Sequence, residues 1–144
     1  MYREDILMRW IRQFAEALAR LAGLRKSGDL RAARDEIERL YEELGIPREL
    51  VDLVDAATLA GMLRTPDRMR AAARLLWEEG HVLRATGDPL AAGIRYRRAH
   101  ELFLEARAIA PEPDDDAAIL ELSRVAPGWE LAERYRATRG STSG

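Results

Sequence analysis

Arg74, Trp77, His81 and Arg84 follow one another at steps of three, four and three residues. On a helix that spacing puts all four on one face. Guanidinium groups are natural forks for carboxylates, and an indole between them supplies an apolar anchor, so the chemistry on offer is recognition of an acidic group beside an apolar one. The plainer alternative packs Trp77 against the apolar stretch LVDLVDAATLAGML and leaves the arginines as a solvated edge. A metal is the competing idea. Glu78 and His81 form Glu-x-x-His, the spacing with which helix-bundle di-iron proteins aim two ligands at one ion. Such sites take a second pair and two more glutamates, whereas the other histidine, His100, has Arg97 three places before it. His100, Glu101 and Glu105 also miss the zinc-protease spacing His-Glu-x-x-His.

Other chemistry is sparse. Ser27, Thr65 and Thr86 all sit at turns or caps, and no glycine-rich phosphate loop is present. Asp114, Asp115 and Asp116 lack the spacing and the glycine of a calcium loop, and read as a helix N-terminus stabilised by negative charge. Arg95, Arg97 and Arg98 are a local basic cluster whose members fall on different sides of a helix. With a net charge of −2, nucleic acid is not expected as a partner. No catalytic, metal or cofactor-binding residue is assigned, and no cofactor is expected.

These side chains need elements to hold them. Apolar residues from Ile6 to Leu24 recur at three- and four-residue steps, which predicts an amphipathic helix over Tyr2 to Leu24. Its four arginines also allow a membrane-surface reading. A second helix is expected from Leu30 to Leu44, with Ala33, Ile37, Leu40, Tyr41 and Leu44 inward and Gly45 ending it. Short, broken helix follows Pro47. Thr65 as N-cap with Pro66 behind it opens a helix to about Thr86, and Asp88 with Pro89 opens another to about Ala110. A shorter helix starts at the aspartates, and a last one is expected to dock through Trp129, Leu131 and Tyr135. TRGSTSG, small and polar, reads as a disordered tail. No alternating strand pattern appears, so the fold class is all-α.

Two stretches, LRKSGDLRAA and LRATGDPLAA, repeat the same pattern 59 positions apart. Each reads as the turn of an antiparallel helical hairpin, glycine ending one helix and aspartate capping the next. Gly80, Gly87-Asp88, Ala92, Tyr96 and Ala99 resemble a tetratricopeptide repeat, with its packing glycine, its inter-helix turn and its small-large-small second helix. Trp77 is one position late for the family's aromatic, Leu83 replaces a tyrosine, and the closing proline is missing at Leu104. Over its whole length the chain also resembles a family of short bacterial proteins of unknown function with a degenerate form of this hairpin. The resemblance implies tetratricopeptide-like, right-handed stacking of hairpins, with a helical insertion between them and a C-terminal helical cap. It also implies that the face of Arg74, Trp77, His81 and Arg84 looks into a concave groove, joined by Ala15, Leu18, Ala22 and Arg25 with Lys26 beside it. The carboxylate clamp of chaperone-binding members is only loosely matched, because its asparagines are absent.

A chain of 144 residues can bury roughly 70% of its unfolded surface, so one domain over residues 1–137 and a tail over 138–144 are expected. The absence of cysteine removes disulfides and thiolate catalysis. No apolar run approaches the ~20 residues of a membrane span, and the N-terminus is charged, which leads to the expectation of a cytoplasmic protein without integral membrane association. The functional expectation is a non-catalytic protein-protein interaction or scaffold module. Its partner would be an unknown protein or peptide held by Arg74, Trp77, His81, Arg84, Arg25 and Lys26, or a second copy in a homodimer. The alternative is a small helix-bundle metal-binding enzyme using Glu78 and His81.

Overall fold

The computed structural model describes residues 2–136; the tail expected at 138–144 lies outside them. Seven α-helices follow in order: α1 Tyr2–Lys26, α2 Leu30–Leu44, α3 Leu50–Leu53, α4 Ala56–Leu63, α5 Pro66–Ala85, α6 Pro89–Ile109 and α7 Asp115–Leu122. A 3-10 turn at Gly128–Glu130 and a helical turn over 133–136 complete the described residues, which contain no strand.

The repeated stretches build the same turn twice. Gly28 and Gly87 take φ of 84° and 88°, the left-handed conformation that favours glycine. In each copy the aspartate N–H reaches back to a leucine carbonyl, Asp29 to Leu24 at 3.0 Å and Asp88 to Leu83 at 2.9 Å. The same aspartates then cap the following helix, Asp29 accepting from the Ala32 N–H and Asp88 from the Ala91 N–H, both at 3.2 Å. Ser27 and Thr86 donate to the Leu24 and Leu83 carbonyls, both at 3.0 Å. The common polar pattern is therefore turn chemistry in both places.

α5 and α6 form the closest pair. Gly80 makes this approach feasible, because a Cβ there would fall 2.5 Å from the Tyr96 ring. Ala92 and Ala99 are fully buried along the same helix. The hairpin of α1 and α2 packs through both helices on α5, while α7 packs on α6. The segment between the hairpins breaks at Val54 and restarts under the Asp55 cap, whose carboxylate accepts from the Thr58 N–H at 2.8 Å. Its α4 lies on α6 and α5, where Leu59 and Leu63 meet Ala72, Leu76 and Leu102 around a small apolar cavity. Apolar residues from all seven helices join one core.

The C-terminal segment departs from expectation. Leu131 is buried, but Trp129 is 66% exposed and docks nothing. Beside Leu131, polar bonds fasten the segment, one of them from Tyr135. The buried Glu101 carboxylate accepts from the Ala132 N–H at 2.8 Å, and the Tyr135 hydroxyl donates to Glu105 at 2.7 Å.

Candidate functional site

Between α1 and α5 lies an open groove of about 420 Å³ lined by Ala15, Leu18, Ala19, Arg74, Trp77, Glu78 and His81. The two helices bring apolar residues from one side and a mixed aromatic and charged set from the other. Periodicity explains why the insertion leaves this groove open. At 100° per residue, Ala72 and Leu76 point to the side of α5 opposite Trp77, Arg74 and His81, and α4 covers that far side.

The α5 side chains are braced from beneath by α6. Trp77 meets the Phe103 ring edge-on, with centroids 6.4 Å apart, and the Arg74 guanidinium lies 5.4 Å over the same ring. One turn on, His81 meets Tyr96 at 5.4 Å and the Arg84 guanidinium lies 5.6 Å over it. Arginine over an aromatic face keeps its charge exposed while its position is restricted. Trp77 thus packs on Phe103, not on the insertion.

The six residues expected to form the rim are not electrostatically equal. Arg25 forks onto Glu78, with Nε at 2.8 Å from Oε2 and a second contact at 3.4 Å, so its charge is compensated. His81 Nδ1 lies 2.9 Å from the Tyr96 hydroxyl and 3.4 Å from the Arg84 guanidinium. Because arginine only donates, Nδ1 is the acceptor and the tyrosine hydroxyl donates to it. Burial, followed by the Arg25 charge, holds the His81 pKa below its ordinary value, and Glu78 offsets this only in part. The imidazole is neutral near pH 7. Arg74 is exposed, and so is Lys26, which makes no ion pair among the described residues. The groove therefore has an apolar floor and a positive edge at Arg74, while Lys26 and Arg84 are exposed on the same two helices but do not line it.

Glu78 and His81 face different partners, Arg25 and Tyr96, and among the described residues no group of three or more His, Cys, Asp or Glu side chains converges. No helix of the described residues is long and apolar enough to cross a membrane.

A second polar centre was missed by spacing. The fully buried Glu79 accepts from the Tyr41 hydroxyl and, at 2.6 Å, from Arg95 Nε, while the Arg48 guanidinium lies 2.6 Å from its other oxygen. Arg95 also holds Asp52 at 2.6 Å, so the cluster ties α2, α3, α5 and α6 together. Burial, then the Glu79 charge, drives the Tyr41 pKa far upward, keeping it a hydroxyl donor. Two members of the basic cluster in the sequence thus turn to internal pairs, Arg95 to Glu79 and Asp52, and Arg98 to Glu101 at 2.9 Å and the Val51 carbonyl at 3.3 Å. Asp115 takes an ion pair too. Arg70 grips it bidentately at 2.8 and 2.9 Å, and Asp116 holds Arg107 at 2.8 Å. The only advance signal for these pairs was a charged residue within an inward stripe, as Glu79 stands three after Leu76 and three before Val82.

Comparison with known protein families, with curated proteins and with solved structures finds no match.

Proposed function

We propose that the chain is a non-catalytic protein-interaction module whose α1/α5 groove holds a peptide segment carrying acidic groups or a C-terminal carboxylate. One observation carries this reading: an open groove with an apolar floor of Ala15, Leu18, Ala19 and Trp77 is bordered by the exposed Arg74, which makes no ion pair among the described residues. Apolar contact supplies affinity, and the cation selects the charge of the ligand. The framework is read as two tetratricopeptide-like hairpins in right-handed stacking. Supporting this are the identical turns, the placement of both α1 and α2 on α5, and the seat of Tyr96 against Gly80. In such a framework the groove is the concave face.

The test is a peptide library displayed with free C-termini, followed by titration of enriched peptides and their amidated forms against the purified chain. Enriched sequences are expected to be acidic with an apolar residue. Arg74→Glu is expected to weaken them about tenfold or more, equivalent to about 1.4 kcal/mol, and the double variant Trp77→Ala with Arg84→Ala to weaken them further. Thermal melting of each variant separates lost binding from lost fold. No enrichment, or binding unmoved by these substitutions in folded protein, refutes the groove reading.

A further inference from the structure

The other flank of α1 presents a second surface, independent of the groove. There Ile6 is 50% exposed, the Trp10 ring stacks on Phe14 with centroids 5.0 Å apart, and Trp10, Ala17 and Leu40 line a cleft of about 260 Å³ between α1 and α2. α1 packs on α2 and α5, which leaves this flank as the outer end of the first hairpin. Stacked hairpins bury such ends against a neighbour.

Its charge pattern indicates which neighbour. Asp5, Arg9, Glu16 and Arg20 run along α1 as minus, plus, minus, plus at steps of four, seven and four. At 100° per residue they fall within a sector of about 60° beside Ile6 and Gln13. The pattern is antisymmetric about the midpoint between Arg12 and Gln13: read backwards, every sign inverts. A second α1 laid antiparallel about a two-fold axis at that midpoint sets each Asp5 opposite an Arg20 and each Arg9 opposite a Glu16. Four ion pairs then flank a seam containing Ile6 and Trp10. The four charged residues lie to one side of that seam, and Arg12 stands about 120° round the helix from Ile6, outside it. Among the described residues, the only ion pair that engages any of the four is the long 4.0 Å contact of Arg20 with Glu36. Self-complementarity of one patch is what a two-fold interface requires, and a partner of uniform charge would meet two repulsive contacts on this face.

We infer that this flank of α1 is a homodimer surface on which a second copy of the chain docks antiparallel, first hairpin against first hairpin. The inference does not rest on the peptide groove, which lies on the opposite flank and stays open in the dimer.

Sedimentation equilibrium of the full chain at low salt tests it. A concentration-dependent monomer–dimer mass is expected, and raising the salt is expected to weaken the dimer by screening the rim pairs. Glu16→Arg sets arginines opposite each other twice and is expected to weaken the dimer on the order of 30-fold. Adding Arg9→Glu to that variant reverses both signs and is expected to restore the dimer, which a merely destabilising substitution would not do. Arg74→Glu, in the groove, leaves the mass unchanged. A monomer at every concentration, a dimer indifferent to Glu16→Arg, or a double variant as dissociated as the single one would overturn the assignment. Peptide binding surviving in a monomeric variant, or lost in a dimeric one, distinguishes failure of one surface from failure of the other.

Discussion

Gly80→Ala is expected to destabilise the protein although alanine is the better helix former. A methyl at this position would lie 2.5 Å from Tyr96 Cε1 and 2.7 Å from Cδ1, well inside the separation at which carbon atoms attract. The ring has little room to yield. Tyr96 is buried, its hydroxyl is bonded to His81, and Arg84 lies across its face. Overpacking of this kind costs about 1–3 kcal/mol, and the gain in helix propensity returns about 1 kcal/mol. The expected net loss is about 1 kcal/mol, a fall of roughly 3 °C in Tm for a chain of this size. Gly93, on the facing helix, is the internal control, since an added Cβ meets nothing within 4 Å. Gly93→Ala is expected to stabilise by up to about 1 kcal/mol. Urea unfolding followed by circular dichroism reads both at unchanged m-value. If Gly80→Ala stabilises as much as Gly93→Ala, α5 and α6 do not approach each other at Tyr96, and the account of the hairpin is wrong.

Three further outcomes follow from the buried polar groups. Asp115→Asn removes the bidentate carboxylate from Arg70, which keeps the Ala110 carbonyl and Glu112 at 3.6 Å, and is expected to cost roughly 1.5–3 kcal/mol by thermal or urea unfolding. The hydrogen bonds from Arg70 hold the Asp115 carboxyl below the usual range. Its contribution is therefore present above the unfolded value of about 4 and lost as pH falls through the lower folded value, so the variant should flatten the acid limb of the stability profile. Burial holds His100 below its ordinary pKa while its Nδ1–H donates to the Ala126 carbonyl at 2.8 Å. Stability should fall as pH drops below about 6.5, where the unfolded state takes up the proton first, and His100→Gln should reduce that slope. Tyr41→Phe removes a donor from the buried Glu79 and is expected to cost roughly 1.5–3 kcal/mol in melting experiments without changing the helical spectrum; an unchanged Tm would contradict the bond.

The parts of the fold legible in the sequence are those governed by local rules. α2 begins after Asp29, buries Ala33, Ile37, Leu40, Tyr41 and Leu44, and ends at Gly45, because period, N-cap and left-handed cap all act within one helix. The two Gly-Asp turns were readable for the same reason. Trp129 shows the limit: a large aromatic near a chain end was expected to anchor it, yet Leu131 is buried and Trp129 is exposed. The anchoring falls to Glu101 and Glu105, about thirty residues away in sequence. Nothing in the local pattern announces that a carboxylate on α6 will capture an N–H from the C-terminal segment. The Glu79 cluster is similar, since its three partners Tyr41, Arg48 and Arg95, with Asp52 held in turn by Arg95, share no spacing.

The same distinction bears on the groove. Helical periodicity puts Arg74, Trp77, His81 and Arg84 on one side of α5, and the first three line the groove with Ala15 and Leu18, which stand 59 positions before Arg74 and Trp77. Periodicity cannot say which charges remain available, because that depends on pairing between helices. Arg25 is matched by Glu78, 53 residues away, and His81 is neutral between Tyr96 and Arg84. Arg84 is tethered over Tyr96 at the far end of the row. Arg74 lines the groove and has no carboxylate partner among the described residues. A ligand carboxylate gains most where it meets a cation not already compensated. The binding effect of Arg74→Ala should therefore exceed that of Arg25→Ala, even though the sequence presents both as members of one basic rim. The reverse order in a titration would mean that the Arg25–Glu78 pair opens on binding, and the groove would then be a surface that rearranges around its ligand.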